Sequence, residues 1–293
     1  MPSKQNPFSL YDFLGYLIPG ALLIYIALGL NGLLYRSPPL SDFFDFLKST
    51  KGLIPLIVLS YLSGHIVGII SSYTIEKAYI DRFGYPSRQI LISTKNPDKA
   101  SKLKNLKESP LIFLSTYLAE KIIRIAIQNN IFKAKTLEKE IDNITTKKIK
   151  DYFTKKHKCD DINALMETEY FHHIYHYCVE NSPAHLSKIQ NYVALYGLFR
   201  NTSFVALLTA WAFIVASIKN LAISIYTYQT IPDFSLTYLL LGGTAFICFS
   251  ILYLGFSKFY RRYTSEVLFS FCITYQYEKK ERSSIRRQQQ SLI

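Results

Sequence analysis

Four apolar runs decide what this chain can fold into. They cover roughly residues 10–34, 53–74, 201–218 and 235–257 of the 293. Each approaches or exceeds the ~20 residues that an α-helix needs to cross a hydrocarbon core. Hydrocarbon offers backbone groups no water, so such runs are expected to be helices with all their bonds satisfied internally. Half of the residues are apolar (49%), yet the formal charge is +13. That pairing does not suit a soluble enzyme. It suits a membrane protein whose charges lie outside the bilayer. The first run reads as a retained span rather than a cleaved signal: it is too long, only Lys4 precedes it, and no clean small-x-small site follows. Cys159, Cys178, Cys248 and Cys272 form no CxxC pair, so reduced thiols are expected rather than a disulfide framework.

Lysine and arginine fall unevenly between the runs. One precedes the first run, three lie in 35–52, twenty-one in 75–200, one in 219–234 and eight after 257. With four spans, the two rich segments share one side. The positive-inside bias then puts both termini and the central segment in the cytosol. The expected architecture is an all-α membrane protein with a mostly helical cytosolic domain inserted between the second and third spans. Its parts are a transmembrane pair over 1–74, a basic helical domain over 75–200, a second pair over 201–257, and a basic helix and tail over 258–293.

Within the central segment, Gly84 and Pro86 are expected to stop a helix that continues the second span. "RQILIST" (88–94) reads as a short strand, and 95–110 as a lysine-rich loop. A helix follows Ser109-Pro110. "KTLEKEIDNITTKKIKDYF" gives another, apolar at Leu137, Ile141, Ile144, Ile149 and Phe153. A third, capped by Asp160 or Asp161, carries "YFHHIYHYC", and a fourth begins at Ser182-Pro183 and runs unbroken into the third span. The last span should continue into a helix with Phe259, Tyr263, Val267 and Phe271 on one face, ending in a disordered glutamine-rich tail.

Candidate functional residues form four groups. In the second span, Ser60, Gly64, Gly68 and Ser72 recur every four residues, a small-residue stripe that lets helix backbones approach closely. The stripe packs either within one subunit or between subunits. His65, beside it, is an ionisable group at mid-span, either a gating residue or a hydrogen-bonding one. Pro19-Gly20 interrupts the first span and reads as a hinge. Asp12, three residues after Ser9, reads as part of a capping box at the start of that span. Lysines cluster at 95–107 (Lys95, Lys99, Lys102, Lys104, Lys107) and at 147–158 (Lys147, Lys148, Lys150, Lys155, Lys156, Lys158), the latter around Tyr152. Clustered lysines with an aromatic can hold phosphates while a base stacks. They can equally hold anionic headgroups, or form a solvated face. Finally, Glu169, His172 and His176 have metal-ligand spacings on one helix. The second motif that a carboxylate-bridged pair of ions needs is missing, so no metal and no cofactor is expected. No P-loop, GxSxG, GxGxxG or HExxH occurs, and an enzyme is not expected.

The four spans, the "SGHIVG" stripe and the two lysine clusters together resemble the channel-type membrane effectors of Hailong phage-defence systems. The likeness is one of architecture and brings no residue roles with it. It implies a homo-oligomeric inner-membrane channel or pore that responds to a nucleotide or oligonucleotide bound on its cytosolic domain. A different class of function fits the same layout: a non-conducting scaffold that sits in membrane lipid and recruits a cytosolic partner protein.

Overall fold

The computed structural model describes residues 10–34, 41–91, 115–118, 121, 139–157, 170–226 and 233–290. Their regular structure is entirely helical, and none of them is in a strand. We number the α-helices α1 (Leu10–Asp12), α2 (Ile18–Leu34), α3 (Ser41–Lys48), α4 (Leu53–Ser71), α5 (Lys77–Phe83), α6 (Pro86–Ile90), α7 (Lys139–His157), α8 (Tyr170–Asn181), α9 (Pro183–Tyr226) and α10 (Asp233–Gln290). A π turn, Phe13–Leu17, joins α1 to α2, and a second, Ser72–Glu76, joins α4 to α5. Four stretches are long and apolar enough to cross a membrane: Leu10–Gly32, Leu53–Phe83, Pro183–Ile223 and Leu236–Gln276.

The chain divides into two compact units. The first comprises Met1–Tyr79, Leu106–Phe132 and Ala194–Lys258. Its helices are inside-out by the standards of a soluble core. On α4 the buried residues are Ser60, Gly64, Val67, Gly68 and Ser71. The opposite face presents Ile54 (75% exposed), Ile66 (59%) and Ile69 (62%). Small residues inside and branched aliphatics outside are the arrangement expected of helices surrounded by lipid, where close backbone approach replaces hydrophobic drive. Hydroxyls within these helices bond back to their own backbone, as Ser60 to the Leu56 carbonyl (2.7 Å) and Thr202 to Leu198 (2.7 Å). That leaves no donor facing an apolar medium unpaired at those positions. Trp211 donates its indole N–H to the Ser115 hydroxyl at 3.2 Å, which ties residues 115–118 to α9.

The second unit comprises Ile80–Asn105, Lys133–Val193 and Phe259–Ile293. It has an ordinary core, built from Ile90, Leu91, Ile149, Tyr152, Phe153, Tyr170, Ile174, Tyr177, Cys178, Ile189, Val267, Leu268, Phe271 and Cys272. Burial in this core pushes the Cys178 thiol up to about 11, so it is neutral and unreactive at ordinary pH. Glu266 of α10 accepts from Lys188 (2.8 Å) and lies 3.3 Å from the His185 ring, pinning the start of α9 to α10 within this unit.

Several expectations meet a different outcome. Residues 88–90 are the end of α6 and not strand; only Leu91 is extended, and 92–94 lie outside the described residues. The buried face of α7 is Asp142, Thr145, Ile149, Tyr152 and Phe153, while Ile144 is 53% exposed. The spacing of 3, 4, 3 and 1 is helical, but two of the buried positions are polar, which is why an apolar count picks a wrong neighbour. The glutamine-rich end, read as disordered, is helical to Gln290. The helix stop at Gly84 does appear. Gly84 takes φ +75° and donates to the Ile80 carbonyl at 2.7 Å, a turn that favours glycine. α9 runs unbroken from Pro183, as its sequence suggested.

Candidate functional site

Arg200 and Asn201 stand side by side on α9 and are 7% and 0% exposed. A buried guanidinium must be paired and must have its donors filled, or its desolvation is very costly. Arg200 meets both demands. Nη1 donates to Glu76 Oε2 at 2.6 Å and to the Tyr196 hydroxyl at 3.1 Å. Nε donates to Asn201 Oδ1 at 3.2 Å, and Nη2 reaches the Gly68 carbonyl at 3.4 Å. The Tyr196 ring also lies 5.3 Å from the guanidinium carbon. Glu76 ends the second π turn, and Ser72, at the start of that turn, donates to the same carboxylate oxygen at 3.3 Å.

Asn201 extends the network to a third segment. Its amide nitrogen donates to the Gly15 carbonyl at 2.6 Å, inside the first π turn, and its oxygen accepts from the Ser71 hydroxyl at 2.5 Å. A single polar cluster on α9 therefore grips both π turns and the end of α4. π turns carry one extra residue per turn and are found mostly where function needs an irregular helix. Beside the network, Tyr16 stacks on His65 at 3.9 Å between ring centres, and Tyr61 meets His65 edge-on at 4.5 Å. The Tyr16 and Tyr11 hydroxyls are 3.5 Å apart. The chemistry of the cluster is that of a charge-compensated lock between helices.

The stripe of small residues belongs to the same region. A Cβ on Gly64 would run into the Tyr16 backbone, and one on Gly68 would sit 2.8 Å from the Tyr16 ring. A Cβ on Gly20 would meet the Ser60 carbonyl and come within 2.6 Å of the Gly64 nitrogen. Ser60, Gly64 and Gly68 thus face the first helix of the same chain, and Ser72 turns its hydroxyl to Glu76. Gly20, read with Pro19 as a hinge, packs closely against α4. The helical irregularity beside Pro19 is the π turn that precedes it, Phe13–Leu17. Asp12 sits in the first helical turn at the N-cap of the π turn, where its side chain makes no capping hydrogen bond; Ser9, its expected capping partner, lies outside the described residues.

The anion-binding candidates separate. Lys147 and Lys150 are exposed on α7. Lys148 is half-buried and donates to the Cys272 carbonyl (3.0 Å) and to Gln276 (2.8 Å). Lys155 pairs with Asp151 at 2.7 Å, and Lys156 lies over the rings of Tyr152 (5.3 Å) and Tyr177 (5.7 Å). Tyr152 is 5% exposed and packs against Phe153, Tyr177, Phe271 and Tyr275. It is a core residue and offers no face on which a base can stack, which corrects its assignment as a ligand contact. Lys95, Lys99 and Lys102 lie outside the described residues, as does Glu169. The His172 and His176 rings are exposed and 6.4 Å apart. Among the described residues no three His, Cys, Asp or Glu side chains gather as a metal would need.

Hydropathy alone misses Glu76, Arg200 and Asn201, because they fall one or two residues beyond the ends of the second run or at the start of the third. The available signal was the adjacent Arg-Asn pair opening an apolar run. No family model matches this chain, and neither the curated proteins nor the solved structures contain a significantly similar one.

Proposed function

We propose that this chain is an oligomeric channel or pore-forming effector of a bacterial inner membrane, gated by a nucleotide or oligonucleotide. Both termini and the basic helical unit lie in the cytosol in this reading, and the setting is anti-phage defence. The observation that carries it is the Arg200–Glu76 pair within helices long enough to cross a membrane. Burying an ion pair carries a large desolvation cost, and a pair held where two spanning helices meet is a candidate switch between helix arrangements. The network holds a resting state. A ligand acts by binding the other state more tightly, and only its differential affinity counts.

Lys147 and Lys150 are exposed on α7, and they are the ligand contacts we favour. Lys147→Gln with Lys150→Gln is expected to lower affinity for a fluorescent oligonucleotide about tenfold or more at 0.15 M salt. The same pair should flatten the slope of log affinity against log salt by roughly 1 to 2. Because neither side chain is buried, the melting temperature should stay unchanged. Equal binding by the double variant and the parent removes this site.

The scaffold reading has one observation in its favour. The outward face of α4 is uniformly aliphatic, from Ile54 through Ile57, Val58, Leu62, Ile66 and Ile69, and offers nothing to a water-filled lumen. Co-purification of a stoichiometric cytosolic protein, with membrane potential unaffected by expression, would favour that reading over the channel.

A further inference from the structure

Proline has no N–H, and its ring crowds the carbonyl four residues earlier. For Pro19 that carbonyl belongs to Gly15. In a regular helix the Gly15 oxygen would be crowded by the ring and would also lose its donor. Both problems meet at the first π turn. There Ile18 donates to the Phe13 carbonyl, five residues back, so the chain is wound wider as it approaches the proline. The Gly15 carbonyl then takes its hydrogen bond from outside the helix, from the Asn201 amide at 2.6 Å. Asn201 is 0% exposed, and Gly15 is buried.

We infer that Asn201 is the positioning residue that sets the register of the first span, by replacing the backbone donor that Pro19 lacks. A π turn contains one residue more than the α-helix it interrupts. Its loss would rotate the preceding segment by about 100° and move it by about 1.5 Å. Residues 10–12 therefore depend on this bond for the face they present. Tyr11 reports that face. Its ring lies against α9, where a Cβ on Gly197 would meet Tyr11 Cε2 at 3.0 Å. The same Asn201 oxygen accepts from Ser71, next to the second π turn, so one side chain ties the winding of the first span to that of the second. The inference concerns helix register and stands whether or not the chain conducts ions.

The test uses the full chain in lipid nanodiscs. Asn201→Ala is expected to raise hydrogen exchange across residues 13–18 by at least tenfold. In a Tyr11→Cys, Gly197→Cys background it should cut the disulfide cross-link yield by at least half. The decisive variant is Pro19→Ala combined with Asn201→Ala. It returns an N–H to position 19 and should bring exchange back to within about threefold of the parent. If Asn201→Ala alone does not fold but the combined variant does, the same compensation is demonstrated. Unchanged exchange in Asn201→Ala, or a combined variant no better than Asn201→Ala alone, overturns the assignment.

Discussion

Arg200→Ala is expected to cost about 3–5 kcal/mol, among the largest losses available to a single substitution in this chain. The side chain is 9% exposed and its partner Glu76 16%, so removing the guanidinium strands a carboxylate with little access to water. The Gly68 and Tyr196 acceptors and the Asn201 oxygen lose a donor as well. Glu76→Ala should cost a similar amount for the mirror reason. The informative variant is the double one. With both charges gone there is no ion left to bury, and replacing a buried pair by apolar groups is often nearly neutral. Arg200→Ala with Glu76→Ala should therefore melt closer to the parent than either single variant does. The single variants should melt on the order of 10 °C lower, followed by circular dichroism in detergent. Additive losses would mean that the pair is not coupled.

Gly64→Val should be as damaging, by a different cause. A Cβ at position 64 meets the backbone of Tyr16, which cannot rotate away as a side-chain tip can. The two helices must separate, and with them go the Gly20 contact on Ser60, the Tyr16–His65 stack at 3.9 Å and the approach of Gly15 to Asn201. Overpacking of this kind costs about 1–3 kcal/mol where side chains can adjust, and more where backbone is the obstacle. Gly29→Ala is the matched control. Nothing lies within 4 Å of a Cβ there, so the exchange should be neutral or stabilise α2 by up to about 1 kcal/mol. Chymotrypsin resistance of the purified proteins reads both effects. A Gly64→Val protein as resistant as the Gly29→Ala protein would contradict the backbone contact.

The sequence makes the helical class and the four spanning stretches legible because length and hydropathy are properties of single segments. The same holds for the helix stop at Gly84 and the unbroken helix that starts at Pro183, which depend on local backbone chemistry. What it hides is pairwise. Arg200 counts as one more cytosolic cation until Glu76 is found 2.6 Å away. Pro19 reads as a kink, and only the fold shows that the freed carbonyl has a donor 186 residues distant. The lysine cluster at 147–158 looks uniform in sequence, yet α7 turns Lys148 onto α10 and leaves Lys147 and Lys150 outward. Tyr152 fails as a ligand contact for the same reason: its position in the helical repeat buries it, while aromatic character alone cannot say which face it takes.

A liposome flux assay tests the central claim most directly. The protein is reconstituted in liposomes of bacterial lipid loaded with a potassium-sensitive dye, and oligonucleotides of defined length and linkage are added outside. The account predicts an oligomer whose ion flux changes at least tenfold with one of those nucleotides, and whose flux loses that dependence when Glu76→Gln weakens the lock. A monomeric protein that shows no flux under any nucleotide condition would contradict it.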